Sequence, residues 1–177
     1  VANTIENVIR AVSGSLKAAV HPNVDISTHT EYTEIAQLPA IVLFYPSLED
    51  YRPNEMNERR IFKNADGVTT TIKPPVIFKS FVFDFEIYAS KMIGAEGLTT
   101  LQEKFILWLE RTGTITVDGK EYELHGEEPQ SPQWSPNISN LKRLVGTFTV
   151  EGVEIDGSDA ETGHVVLDRI YDTEKKG

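Results

Sequence analysis

The sequence predicts an α+β fold: a mixed, mostly antiparallel sheet with two amphipathic helices packed on one face, a projecting β-hairpin and a C-terminal acidic arm. Three observations predict it. Apolar residues recur at helical spacing near the start and in the middle of the chain. The stretch from Val76 to Ala89 alternates in the manner of a long strand, and two Asp-Gly pairs sit between β-favouring flanks.

The first element runs from Thr4 to Val20, where Ile5, Val8, Ile9, Val12, Leu16 and Val20 form one apolar stripe. Asn3 followed by Glu6 has the spacing of a capping box, which would satisfy the first free backbone donors. His21-Pro22 ends the helix, because proline restricts the residue before it and has no N–H to donate. Leu38 to Tyr45 is a near-continuous apolar run closed by Pro46, short and β-branched enough to be a strand buried on both faces. From Ser47 to Arg60 the chain turns polar and mixed in charge. The runs 59–63 and 68–73 then flank Asp66-Gly67, which predicts a hairpin projecting from the core.

Pro74-Pro75 resets the chain into its longest strand. There Phe81, Phe83, Phe85 and Ile87 share one face, and Val82, Asp84, Glu86 and Tyr88 share the other. Gly94 and Gly97 turn it into a second helix, Leu98 to Arg111, with Leu98, Leu101, Phe105, Trp108 and Leu109 inward and Gly113 closing the end. A second hairpin follows around Asp118-Gly119. His125 to Asn140, with Pro129, Pro132 and Pro136 around Trp134, reads as an extended surface connection. The last strand, Arg143 to Ile155, sets Val145, Thr147, Thr149 and Val153 against Leu144, Phe148 and Val150. The division is a single α+β domain over residues 1–155 and an acidic arm over 156–177.

Composition excludes several classes of function. At 177 residues the chain suits one domain, and no apolar run approaches the roughly 18 residues that would span a bilayer. The opening Val1-Ala2-Asn3-Thr4 has neither the basic segment nor the apolar core of a signal peptide. With no cysteine there is no disulfide, thiolate metal site or cysteine nucleophile. A net charge of −10 opposes binding to phosphate backbones, and half of it lies between Glu151 and Gly177, where eight acidic residues face three basic ones.

Motifs for chemistry are absent from the linear sequence. Gly113 and Gly119-Lys120 are separated by five intervening residues where a phosphate loop needs four, and Glu121 sits where that loop needs Ser or Thr. No two of His21, His29, His125 and His164 stand at i, i+4. His125 with Glu127 and Glu128 has metal-ligating residue types, but an imidazole in a loop is ordinarily just solvated. The expectation is therefore a protein that is not an enzyme, binds no cofactor or metal, and works through its surfaces.

The order of helix, buried strand, projecting hairpin, long alternating strand, helix, hairpin and final strand resembles the tail-terminator (tail-completion) proteins of long-tailed bacteriophages. The resemblance covers roughly residues 4 to 155. It rests on the helix Ile5 to Val20, the strand Pro39-Ala40-Ile41-Val42-Leu43, the strand Phe81 to Ala89 leading into Leu98 to Arg111, and the closing Gly146-Thr147-Phe148-Thr149-Val150. It implies a structural virion protein: a six-membered ring that caps the tail tube, ends tube polymerisation and joins the tail to the head. The partners it implies are further copies of the chain, the tail tube protein and a head-completion or neck protein. DNA would pass through the channel without specific binding, and no membrane is involved. The implied location is the tail-head junction of the virion, after synthesis in the host bacterial cytoplasm. The acidic arm is not part of the family pattern.

Interface residues are expected in the excursion between Tyr51 and Lys73. Tyr51, Arg52, Arg59 and Arg60, with Lys63 beside them, are aromatic and cationic, and tyrosine and arginine are enriched where interfaces concentrate their binding energy. A solvated loop with local charge pairs accounts for the same residues. Two other functions stay open at this point. One is another phage neck or tail ring component, such as a connector or tube protein. The other is a small acidic ligand-binding domain or enzyme with a pocket under the Pro129–Pro136 loop.

Overall fold

In a computed structural model of the chain the described residues are 4–28, 37–52, 60–63, 69–72, 76–126, 133–134 and 141–155, with only the backbone described at 50–52, 60–63, 69–72 and 133–134. The expected acidic arm, the Asp66-Gly67 turn and the prolines between 129 and 136 lie outside them.

Helix α1 (Ile5–Ala19) forms where the apolar stripe predicts it and buries Val8, Ile9, Val12 and Leu16. Its cap is Thr4, not Asn3. Thr4 has extended backbone (φ −120°, ψ 160°), and its hydroxyl accepts the Asn7 N–H at 3.2 Å. A capping side chain must reach the third helical residue, so a helix that begins at Ile5 takes the residue just before it.

Strand β1 (Val24–Ser27) was not expected. Four residues hold too little periodicity to signal a strand, and β1 exists by pairing parallel with β2 (Ala40–Phe44). As expected, β2 is buried on both faces: Ile41 and Leu43 pack into the helix-side core, while Ala40 and Val42 are buried opposite them.

The polar stretch after Pro46 is also partly strand. β3 (Ser47–Arg52) pairs antiparallel with the first half of β6 (Val76–Ala89), whose second half pairs with β2. A strand as long as β6 leaves an open row of backbone groups beyond the short β2, and β3 satisfies it. Half-buried Leu48 packs against the core, so burial of one side chain accompanies those hydrogen bonds.

The expected hairpin follows as β4 (Arg60–Lys63) and β5 (Thr69–Ile72), which form a two-stranded sheet of their own. Helix α2 (Leu98–Thr112) buries Leu98, Leu101, Phe105 and Trp108 and ends at Gly113 in the left-handed region. β7 (Thr114–Val117) and β8 (Lys120–Gly126) join through Asp118 and Gly119, at φ 48° and 82°, the two positive values a tight hairpin turn requires. β8 runs on through His125, which the sequence reading places in a surface connection. β9 (Gln133–Trp134) and β10 (Lys142–Ile155) are the last elements among the described residues.

The main sheet has the order β1-β2-β6-β10-β8-β7, with β3 beside β6 and β9 beside β10. The long antiparallel pair β6–β10 is its spine. Each spine strand takes two short partners in tandem on its outer side, β2 and β3 on β6, and β8 and β9 on β10. Among the described strands only β1–β2 is parallel, so the mixed, mostly antiparallel sheet is as expected.

Both helices pack on one face of that sheet around a cluster of rings. Phe148 of β10 is its hub, with ring centroids 5.2 Å from Phe83, 6.0 Å from Phe85, 6.0 Å from Phe105 and 5.3 Å from Trp108. Trp108 also donates its indole N–H to Ser15 Oγ at 2.8 Å, which ties α2 to α1.

Regular alternation breaks at one place. In β10 the buried positions are Leu144, Gly146, Phe148 and Val150, then Val153, with exposed Glu151 and Gly152 between. Val153 therefore lies with the core and not with Thr147 and Thr149, contrary to expectation. Gly152 adopts φ +69°, a left-handed conformation that reverses the pleat, and Phe78 opposite Val153 packs against the core as well.

Candidate functional site

The sheet face turned away from the helices is polar and only half-buried along the spine. Cross-strand pairs there are Val82 with Thr149, Asp84 with Thr147, Glu86 with Val145 and Tyr88 with Arg143. Thr147 Oγ1 donates to Asp84 Oδ1 at 2.8 Å. The Tyr88 hydroxyl donates to Glu86, and Arg143 approaches Glu86 Oε1 at 3.5 Å. Arg143 Nε is shielded from solvent without a hydrogen-bond partner, a local cost set against the pairing of Nη1 with Glu86.

Burial pushes the Tyr88 phenol up to about 12, helped by its hydrogen bond to Glu86 and by that carboxylate's charge, with Arg143 opposing. An acid with a raised folded pKa favours folding below its unfolded value of about 10, and that contribution disappears as the pH climbs from 10 to about 12. Ultraviolet titration should accordingly find a tyrosine transition near 12, and Tyr88→Phe should remove its contribution.

Further along the same face, beyond the spine, β8 and β10 bring three ionisable side chains together. Glu123 stands directly opposite Glu151, and His125 stands opposite Thr149. His125 Nε2 is 3.0 Å from Glu123 Oε2 and 3.5 Å from Glu151 Oε2. The hydrogen bond to Glu123, then the charge of Glu151, raises the imidazole pKa above its usual value. Among the described residues these three are a set whose ligand atoms could meet on a metal ion, one atom from each lying within 4.8 Å of the others. An open groove of about 700 Å³ adjoins them, lined by Lys79, Lys120, Glu121, Tyr122, Glu154 and Gly152 together with both glutamates. Lys120 Nζ bonds Glu154 Oε2 at 2.8 Å across the same two strands.

The residues singled out by type fall in two different parts of the fold. Tyr51 and Arg52 belong to β3 of the main sheet, opposite Phe78 and Ile77, and not to a projecting loop. Arg60 and Lys63 are the first and last residues of β4, in the separate hairpin. Arg59 lies outside the described residues, as do Glu127 and Glu128 beside His125. Those four placed residues are thus split between two sheets. Glu123 and Glu151 were missed. The i, i+2 spacing of Glu123 and His125 was available as a signal once 125 is known to be strand, whereas the approach of Glu151 depends on register.

No protein-family model and no curated protein matches the chain. Among solved structures, a chain of the virion of a native gene transfer agent (GTA) particle aligns over 85% of this chain and 93% of that one, with a TM-score of 0.40 and 11% identity. A likeness of that degree carries no argument about fold or role.

Proposed function

We propose that the protein is a structural virion subunit of the tail-terminator kind. It forms a ring, six-membered by the resemblance, that caps the tail tube, ends tube polymerisation and joins the tail to the head-completion proteins. What supports this reading is the element order from the first helix to the last strand. That order carries the resemblance, and the fold realises it with both helices on one face, a separate hairpin and an open sheet. An open sheet has edges with which to meet its neighbours, and the separate hairpin offers a further surface. A closed ring needs such dissimilar, head-to-tail contacts.

Light scattering across a wide concentration range tests it. A hexamer, or a monomer that becomes one as concentration rises, is the expected result. Arg59→Glu with Arg60→Glu should weaken that association by about tenfold or more, as loss of central interface arginines does, while circular dichroism stays that of the parent. A strict monomer that isolated tail tubes also fail to recruit would overturn the reading. Unchanged assembly of the double variant would remove the hairpin from the interface.

A further inference from the structure

Like charges directly opposite one another on adjacent strands are destabilising, so the facing carboxylates of Glu123 and Glu151 call for a cation between them. Of the two lysines that line the adjoining groove, Lys120 is engaged with Glu154, and Lys79 belongs to β6, on the far side of β10 from Glu123. What stands between the two carboxylates is the His125 imidazole, through one nitrogen that approaches both. An imidazole carries a single charge, and only when protonated. A divalent ion carries two and can bond all three groups at once.

The geometry suits such an ion. Bonds from zinc to imidazole nitrogen and carboxylate oxygen are about 2.0–2.2 Å, which sets neighbouring ligand atoms of a tetrahedral site about 3.3–3.6 Å apart. The distances of 3.0 and 3.5 Å already lie near that range, and all three atoms fall within 4.8 Å. The three residues also stand on paired strands, which hold their backbones in register, so closing on an ion needs only side-chain rotation. We propose that Glu123, His125 and Glu151 form a surface site for a divalent transition-metal ion of the zinc class. Its ligands are one imidazole nitrogen and two carboxylate oxygens, with the remaining positions open to water or to a donor from another molecule. An imidazole ligand selects zinc, nickel or copper over calcium and magnesium, which take oxygen shells. The site stands whether or not the chain assembles into a ring.

Calorimetric titration of the full chain with zinc chloride, after treatment with a chelator, tests the proposal. The expected result is saturable binding of one ion per chain that excess calcium or magnesium does not displace. His125→Ala should abolish it, and Glu123→Gln and Glu151→Gln should each weaken it about tenfold or more. His29→Ala with His164→Ala should leave it unchanged. All five substituted positions are either exposed or outside the described residues, and circular dichroism checks that each variant keeps its fold. Nuclear magnetic resonance should show zinc shifting the ring signals of His125 and not those of His21. Absence of saturable binding up to millimolar zinc would overturn the proposal. So would binding that survives His125→Ala, or that depends on His29 and His164.

Discussion

Phe148→Ala is expected to destabilise the protein by about 3–5 kcal/mol, the usual range for deleting a buried aromatic ring. The position is unusually exacting because Phe148 is 1% exposed and meets four other rings, two on β6 and two on α2. Its removal takes away apolar burial and, in the same stroke, the contacts that hold α2 to the spine. Urea unfolding followed by tryptophan fluorescence reports directly, since Trp108 packs edge-on against Phe148. The thermal midpoint should fall by roughly 10 °C or more in a chain of this size. A loss below about 1 kcal/mol would mean that the core closes over the gap and that Phe148 is not its hub.

The second large effect comes from adding a single carbon. A Cβ at Gly146 would lie 2.4 Å from Phe85 Cζ and 2.7 Å from Cε1, well inside contact distance. Gly146 and Phe85 are cross-strand partners on the spine, and the Phe85 ring covers the glycine while stacking on Phe105 at 4.1 Å. That ring has no free direction in which to retreat. Gly146→Ala should therefore cost about 1–3 kcal/mol, the range for overpacking a core. Gly126 offers a useful contrast. Its added Cβ would meet first the Leu109 side chain, with Cδ1 at 2.4 Å, a flexible and half-buried group, so Gly126→Ala should be milder. Pairing Gly146→Ala with Phe85→Leu should recover part of the loss and give a non-additive cycle. Strict additivity of the two changes would show that the clash is relieved elsewhere.

Much of the fold was legible in the sequence because its main elements are long and periodic. The stripe from Ile5 to Leu16, the alternation from Phe81 to Ile87 and the Asp118-Gly119 turn each state a local rule over neighbouring residues, and each is obeyed. β1 and β3 were not legible. Each is short, and β3 is polar; each becomes a strand because a longer strand beside it has unsatisfied hydrogen-bonding groups. The side of Val153 was hidden for a related reason, since one glycine with positive φ reverses the pleat and alternation cannot be counted across it. The candidate site was legible only in His125. Its partners are Glu123 on the same strand and Glu151 on another, and charge type alone does not single either out among 27 acidic residues.

By itself, then, the sequence determined the α+β class, the two helices, the spine strands and both hairpins, and the absence of cysteine chemistry. These follow from composition and from periodicities that neighbouring residues carry among themselves. Only the tertiary structure decided the strand order, the tandem partners on either side of the spine, the division of Tyr51 and Arg52 from Arg60 and Lys63, and the meeting of Glu123, His125 and Glu151. Those depend on which residues stand opposite one another across the sheet. Register is chosen globally, by the burial of Phe81, Phe83, Phe85 and Phe148 against two helices, and a polar residue on the other face goes where that burial carries it.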